Sequence, residues 1–159
     1  MTETAGTIGT VETMETAETG AVGRMPGIGR LAPAAVTDRT RSLYDLLAEW
    51  SRRTRVNVEV WAMPALPVAD AVADAVYDVV AEVLRLVETH TAPRTLSFAL
   101  TTGRGGLRLT ICDDGRGAGP AGTARSAEIM KRCFRQVGGT LTVRAVAGEG
   151  LTVHGRIRP

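Results

Sequence analysis

Residues 111–120 read ICDDGRGAGP, and the reading of this stretch decides the fold. Just before it, Leu107, Leu109 and Ile111 alternate with Arg108, Thr110 and Cys112, the period of a half-buried β-strand. The strand runs out at Cys112 and delivers Asp113 to its tip, a fixed acceptor on a rigid element. Gly115 and Gly117 follow at alternate positions, where glycine lets the backbone approach a ligand closely. A plainer reading of the same residues is a surface turn opened by aspartate, a common arrangement. The pentapeptide leaves both open, so the flanking sequence has to separate them.

Working outward, Leu96, Phe98 and Leu100 alternate to form a second strand, joined to the first through the Gly-rich turn Thr101–Gly106. Before that hairpin, Val68, Val72, Val76, Val79, Val83 and Val87 step by threes and fours. This spacing predicts a long helix ending near His90, shortly before Pro93. Pro64 and Pro67 separate it from a strand in which Val56, Val58 and Val60 alternate with Asn57 and Glu59. Earlier still, Leu43, Leu46, Leu47 and Trp50 recur at helical spacing, with Asp38 or Thr40 as N-cap and Arg52, Arg53 and Arg55 at the end. After ICDDGRGAGP a loop over 113–122 leads to a helix over roughly 124–137, stopped by Gly138-Gly139. Strands over about 140–146 and 151–157 flank a turn at Gly148–Gly150. The order is helix, strand, long helix, hairpin, loop, helix, hairpin. It favours an α/β (α+β) two-layer sandwich, a mostly antiparallel sheet with helices on one face.

Bulk properties narrow the function classes. A chain of 159 residues, 44% of them hydrophobic, suits one domain with a real apolar core. Residues 1–41 are set apart as a low-complexity lead-in, either flexible or a tail that orders on a partner. Residues 42–159 form the domain. Residues 1–40 hold three Arg against four Glu and one Asp, and the rest of the chain sums to +4. Neither the modest charge nor six aromatics supports nucleic-acid binding, which needs a dense basic stripe or stacking platforms. No run approaches the ~20 apolar residues of a membrane span. The first residues lack the basic start and apolar block of a signal peptide. Cys112 and Cys133 have neither metal nor disulfide-framework spacing. A reduced cytoplasmic setting is the expectation.

Four ordered segments carry a family resemblance: YDVVAEVLRLVETH at 77–90, DDGRG at 113–117, KRCFRQVGGTLTV at 131–143 and GEGLTV at 148–153. Together they resemble the ATP-binding domain of two-component sensor histidine kinases, with the Bergerat (GHKL) fold. The resemblance implies ATP or ADP as ligand and a protein partner: a kinase, a response regulator or a phosphoacceptor domain. By position, it implies that Asp113 accepts from the adenine amino group, with Gly115 and Gly117 shaping that side of the pocket. Glu82 matches the helix glutamate that acts as a base or organises water near the phosphates. His90 matches a histidine late in that helix, and Gly148 and Gly150 the closing glycine hairpin, where Leu151 replaces the hairpin threonine and Thr152, the next residue, is the nucleotide-binding candidate. Two alternatives stay open: Glu82 as a boundary carboxylate, and His90 as a residue favoured by the helix dipole.

The departures fall on the phosphate side. Leu86 stands where the family has its magnesium-binding asparagine, and magnesium needs hard oxygen ligands that leucine does not supply. No metal ligand is therefore assigned. The glycine-rich lid of the family is replaced by TARSAEIMKRC, in which Lys131 and Arg132, with Arg135 beyond, either reach a phosphate or form a solvated helix face. Both histidines, His90 and His154, lie inside the ATPase-like region, so self-phosphorylation in the usual arrangement is not expected. The expectation is a weak nucleotide binder or pseudokinase working through protein contact. The alternative is an active kinase domain that phosphorylates a histidine on another chain.

Overall fold

Period-two alternation and valine stripes do build the two layers they imply. The computed structural model describes residues 23–25, 38–64, 68–117 and 119–159. In chain order it contains β1 (Gly23–Met25), α1 (Asp38–Thr54), β2 (Asn57–Ala62), α2 (Asp70–His90), β3 (Thr95–Gly103), β4 (Gly106–Asp113), α3 (Gly119–Gln136), β5 (Gly139–Val146) and β6 (Gly150–Ile157). The strands form one six-stranded sheet in the order β1-β2-β3-β4-β6-β5. Among the described strands only β2 and β3 pair in parallel, and α2 is the crossover between them. All other neighbours are antiparallel.

The sheet has two unlike faces. One presents Val58 and Val60, Leu96, Phe98 and Leu100, Leu109 and Ile111, and Val153, all buried. Against it lie the valine stripe of α2, Leu43, Leu47 and Trp50 of α1, and Met130 and Phe134 of α3, in a single core. The opposite face carries Arg108, Thr140, Thr142, Arg144, His154 and Arg156, all exposed. This is the expected sandwich, the described helices all lying on one side of the sheet.

Three local features differ from, or lie beside, the expectations. Within the presumed lead-in, Gly23–Met25 adds an antiparallel edge strand to β2, and α1 already begins at Asp38. Residues 1–22 and 26–37, and Pro67, lie outside the described residues. The helix expected from about 124 starts instead at Gly119, so the loop over 113–122 is cut to a few residues. Pro120 sits in its first turn, where a missing N–H costs nothing and its fixed φ already suits a helix. The Thr123 hydroxyl then donates to the Gly119 and Pro120 carbonyls at 3.3 and 3.2 Å.

Helices α1 and α2 are tied at the surface. Glu88 accepts from Trp50 Nε1 at 3.2 Å and from both terminal nitrogens of Arg53, at 2.5 and 2.9 Å. These bonds hold the Glu88 carboxyl below its usual range, the Arg53 hydrogen bond being the main cause.

Candidate nucleotide site

The DDGRG loop is tied to its neighbours through backbone groups. Asp113 continues the buried phase of β4 and so points to the helix side, 8% exposed. Its Oδ1 accepts from the Gly115 N–H at 2.8 Å, and its Oδ2 from the Leu151 N–H at 2.9 Å. The Thr91 hydroxyl, which donates to the Val87 carbonyl at 3.0 Å, lies against the same carboxylate. Burial raises the Asp113 pKa above its ordinary value, outweighing the Gly115 and Leu151 N–H groups and the adjacent Thr91 hydroxyl, which lower it.

The neighbouring residues fasten the loop to three elements. Asp114 Oδ1 accepts from the Arg94 and Thr95 N–H groups at 2.8 and 2.9 Å, fixing the start of β3. The Arg116 N–H donates to the Thr91 carbonyl at the end of α2 (2.9 Å), and the Arg116 carbonyl accepts from Gly148 in the β5–β6 turn (2.8 Å). The approach is close enough that side chains are excluded. A Cβ on Gly115 would lie 2.3 Å from the Thr91 oxygen. One on Gly150, whose φ is +83°, would lie 2.2 Å from the Asp113 oxygen. Gly117 packs beside the Val146 and Gly150 carbonyls in the same seam. Asp113, Gly115, Gly117, Gly148 and Gly150 therefore lie together in one seam.

The remaining expected residues do not join them as a single cluster. Glu82 is on α2, with its carboxylate held by Arg85 at 2.6 and 3.0 Å. Arg85 also donates to Ser126 of α3 at 3.0 Å, so the pair bridges the two helices. The Arg85 hydrogen bond is the largest influence on Glu82 and lowers its pKa. One turn on, Leu86 is fully buried in the core. His90 is exposed at the end of α2. Thr152 is half-buried and pairs with Cys112 and Arg144 on the face of the sheet away from the helices. Lys131 pairs with Glu128 at 2.9 Å, and Arg132 and Arg135 are exposed.

The donor set has direct consequences for ligands. Each Asp113 oxygen is engaged by one backbone N–H and, being a carboxylate oxygen, has a further lone pair. Magnesium does not fit at the family's position. Leu86 offers no oxygen, and among the described residues no three His, Cys, Asp or Glu side chains cluster to hold a metal.

The structure is similar to the histidine kinase domain of the Erythrobacter litoralis EL346 blue-light-activated histidine kinase, with a TM-score of 0.61 and 22% identity. The fold is that of a histidine kinase domain. The match covers 80% of this chain and 65% of that one. Acinetobacter baumannii histidine kinase AdeS matches with a TM-score of 0.59 at 10% identity, over 76% of this chain and 63% of AdeS. Full-length ShkA in complex with AMPPNP matches with a TM-score of 0.55 at 18% identity, over 80% of this chain and 31% of ShkA. The chain thus spans from about a third to just under two thirds of these structures. No family model matches the sequence, and no curated protein is significantly similar to it. Among the described residues no helix is long and apolar enough to cross a membrane.

Sequence reasoning missed the roles of Thr91, Asp114 and Leu151. Asp114 carried a signal, since aspartate in a turn accepts from nearby backbone N–H groups. Leu151 acts through its backbone, which side-chain chemistry does not reveal.

Proposed function

We propose that this domain is a histidine-kinase-like module of two-component-type signalling that works chiefly through protein contact. It binds adenine nucleotide at Asp113 weakly or not at all, and does not turn ATP over efficiently. The observation that carries the reading is Leu86. It is fully buried in the core where a magnesium ligand would be needed, while the Asp113 loop keeps its form. The partner is a kinase, a response regulator or a phosphoacceptor domain, met in a reducing, cytoplasmic setting. Nucleotide as ligand is supported by the likeness to ShkA, whose structure contains AMPPNP.

The active-kinase reading is less favoured by the chemistry of Glu82. A general base works best with a pKa near the operating pH. Arg85 pulls Glu82 the other way and occupies both of its oxygens.

Calorimetric titration with ATP and ADP, with and without magnesium, tests the proposal. We expect weak or absent binding that magnesium does not strengthen. Turnover by the pure protein that requires magnesium and disappears in Glu82→Ala would overturn it. So would phosphotransfer to a separate acceptor domain. Any loss of binding in Asp113→Asn has to be read beside its melting temperature, because Asp113 also holds the loop.

A further inference from the structure

The helix layer and the open face of the sheet treat their charges differently. On the helices, Arg52, Arg53 and Arg85 each pair with a glutamate. On the open face Arg108 and Arg156 are register partners on β4 and β6, and Arg144 stands exposed on β5. None of these three has an ion pair among the described residues. The exposed residues of β4, β5 and β6 on this face include no carboxylate. Like charges directly opposite each other in a sheet are destabilising, so an anion set between Arg108 and Arg156 relieves their repulsion.

The face has shape and hydrogen-bond donors as well as charge. Arg108, Arg156, His154, Thr110, Thr140 and Thr142 line a shallow hollow of about 360 Å³. Within it the Thr110 hydroxyl meets His154 Nδ1 at 3.3 Å. Thr101 on β3 and Thr140 on β5 flank the two arginines, so one row crosses four strands. Three strand spacings of about 4.8 Å make that row roughly 14 Å long. This is the length of about four extended residues, and more than a small dicarboxylate spans.

We infer that this face docks an extended acidic segment of a partner protein, with carboxylates two residues apart. The guanidinium fork takes a carboxylate through two parallel hydrogen bonds, so paired arginines select for it more sharply than a diffuse positive patch. Along an extended segment alternate side chains point the same way. Residues i and i+2 therefore present their carboxylates together to Arg108 and Arg156, and the threonine hydroxyls donate to what lies beside them. Nucleic acid fits less well, because the exposed residues of β4, β5 and β6 on this face include no aromatic and three arginines make a short basic track. The inference rests on the reading that the domain works through protein contact, and gives that contact a place and a chemistry.

The test is amide NMR of the full chain titrated with a capped heptapeptide of alternating glutamate and serine, beside its glutamine counterpart. The glutamate peptide should move the amides of residues 108–110, 140–144 and 154–156, and the glutamine peptide should not. Arg108→Gln with Arg156→Gln should weaken binding about tenfold, the combined effect of two exposed charge contacts. Salt at about 0.5 M should remove most of the binding, because exposed pairs are screened. The double variant should melt no lower than the parent, since it sheds a like-charge pair. Unmoved amides, shifts centred elsewhere, equal binding by the double variant or a fall in its melting temperature each overturn the inference. So does movement of the same amides with protein concentration alone, which makes the occupant a second copy of the chain. A single-stranded oligonucleotide that binds this face more tightly than the peptide overturns it too. ATP turnover is measured on the same sample. Turnover beside intact peptide binding would end the reading of a contact module and leave this surface standing. Absent peptide binding without turnover would end this surface alone.

Discussion

Two neighbouring regions of the site are held together in different ways. Around Asp113 the loop is knit through backbone groups, with aspartates and glycines chosen for what the main chain needs. Along the α2–α3 seam, side chains do the holding: Leu86 in dry core and Arg85 bridging Glu82 to Ser126. A nucleotide motif can persist in the first region because the fold itself uses it. The second has no such constraint on polarity, and Leu86 there is packed with no exposure to solvent. The contrast warns that an intact DDGRG is weak support for nucleotide binding on its own.

The largest expected effect lies in the seam. Leu86→Asn removes buried leucine and leaves an amide without partners, a loss of about 4 kcal/mol or more in urea denaturation. A well-folded variant that gains magnesium-dependent nucleotide binding would break the contrast, because the position would then face a polar pocket. Next comes Gly150→Ala, whose methyl meets the Asp113 carbonyl and whose φ is unsuited to alanine. We expect about 2–3 kcal/mol of destabilisation. A neutral result would show that the loop and turn are not clamped.

Asp113→Asn should cost about 1–3 kcal/mol, since one of two buried N–H groups then faces an amide donor instead of an oxygen. The sign with pH also follows. A carboxyl whose folded pKa is raised binds its proton more tightly in the native state. Its contribution to stability is therefore present in acid and is lost as pH rises from its unfolded value through the folded one. The stability of the parent relative to Asp113→Asn should thus fall over that window. No change across it would mean that the carboxylate is better solvated than its surroundings indicate.

The layers were legible because valine, leucine and phenylalanine positions mark period two or 3.6 with few interruptions. The α2 stripe from Val76 to Val87 is buried throughout as its spacing demands. The start of α3 was not legible, because Gly-Pro reads as a breaker until one knows that proline opens the first turn. The convergence of Asp113 with Gly115, Gly117, Gly148 and Gly150 followed from the ordered segments. The inward turn of Leu86 and the placing of Thr152 on the far face did not. Helical spacing alone puts Leu86 beside the valine stripe without saying on which side of its boundary it falls. Position in a closing strand fixes the face of Thr152 only once the register is known.

The smallest expected effect tests the other half of the contrast. Arg85 is largely exposed, with 59% of its side chain accessible, so solvent screens its pair with Glu82. Glu82→Gln should cost no more than about 1 kcal/mol at neutral pH. Arg85 lowers the folded pKa of Glu82 beneath its ordinary 4.5. The stabilisation is accordingly complete above that value and disappears as pH falls through the folded pKa. Parent and variant melting temperatures should therefore differ slightly at neutral pH and converge as the pH falls below the folded pKa of Glu82. Asp113 titrates in both proteins, so its opposite trend cancels in the difference. Convergence would identify charge as what holds Glu82 to Arg85, the residue that reaches Ser126 of α3. A difference that survives in acid would mean that Glu82 acts through shape and neutral hydrogen bonding, as the core around Leu86 does, and the two regions would differ less than their bonding suggests.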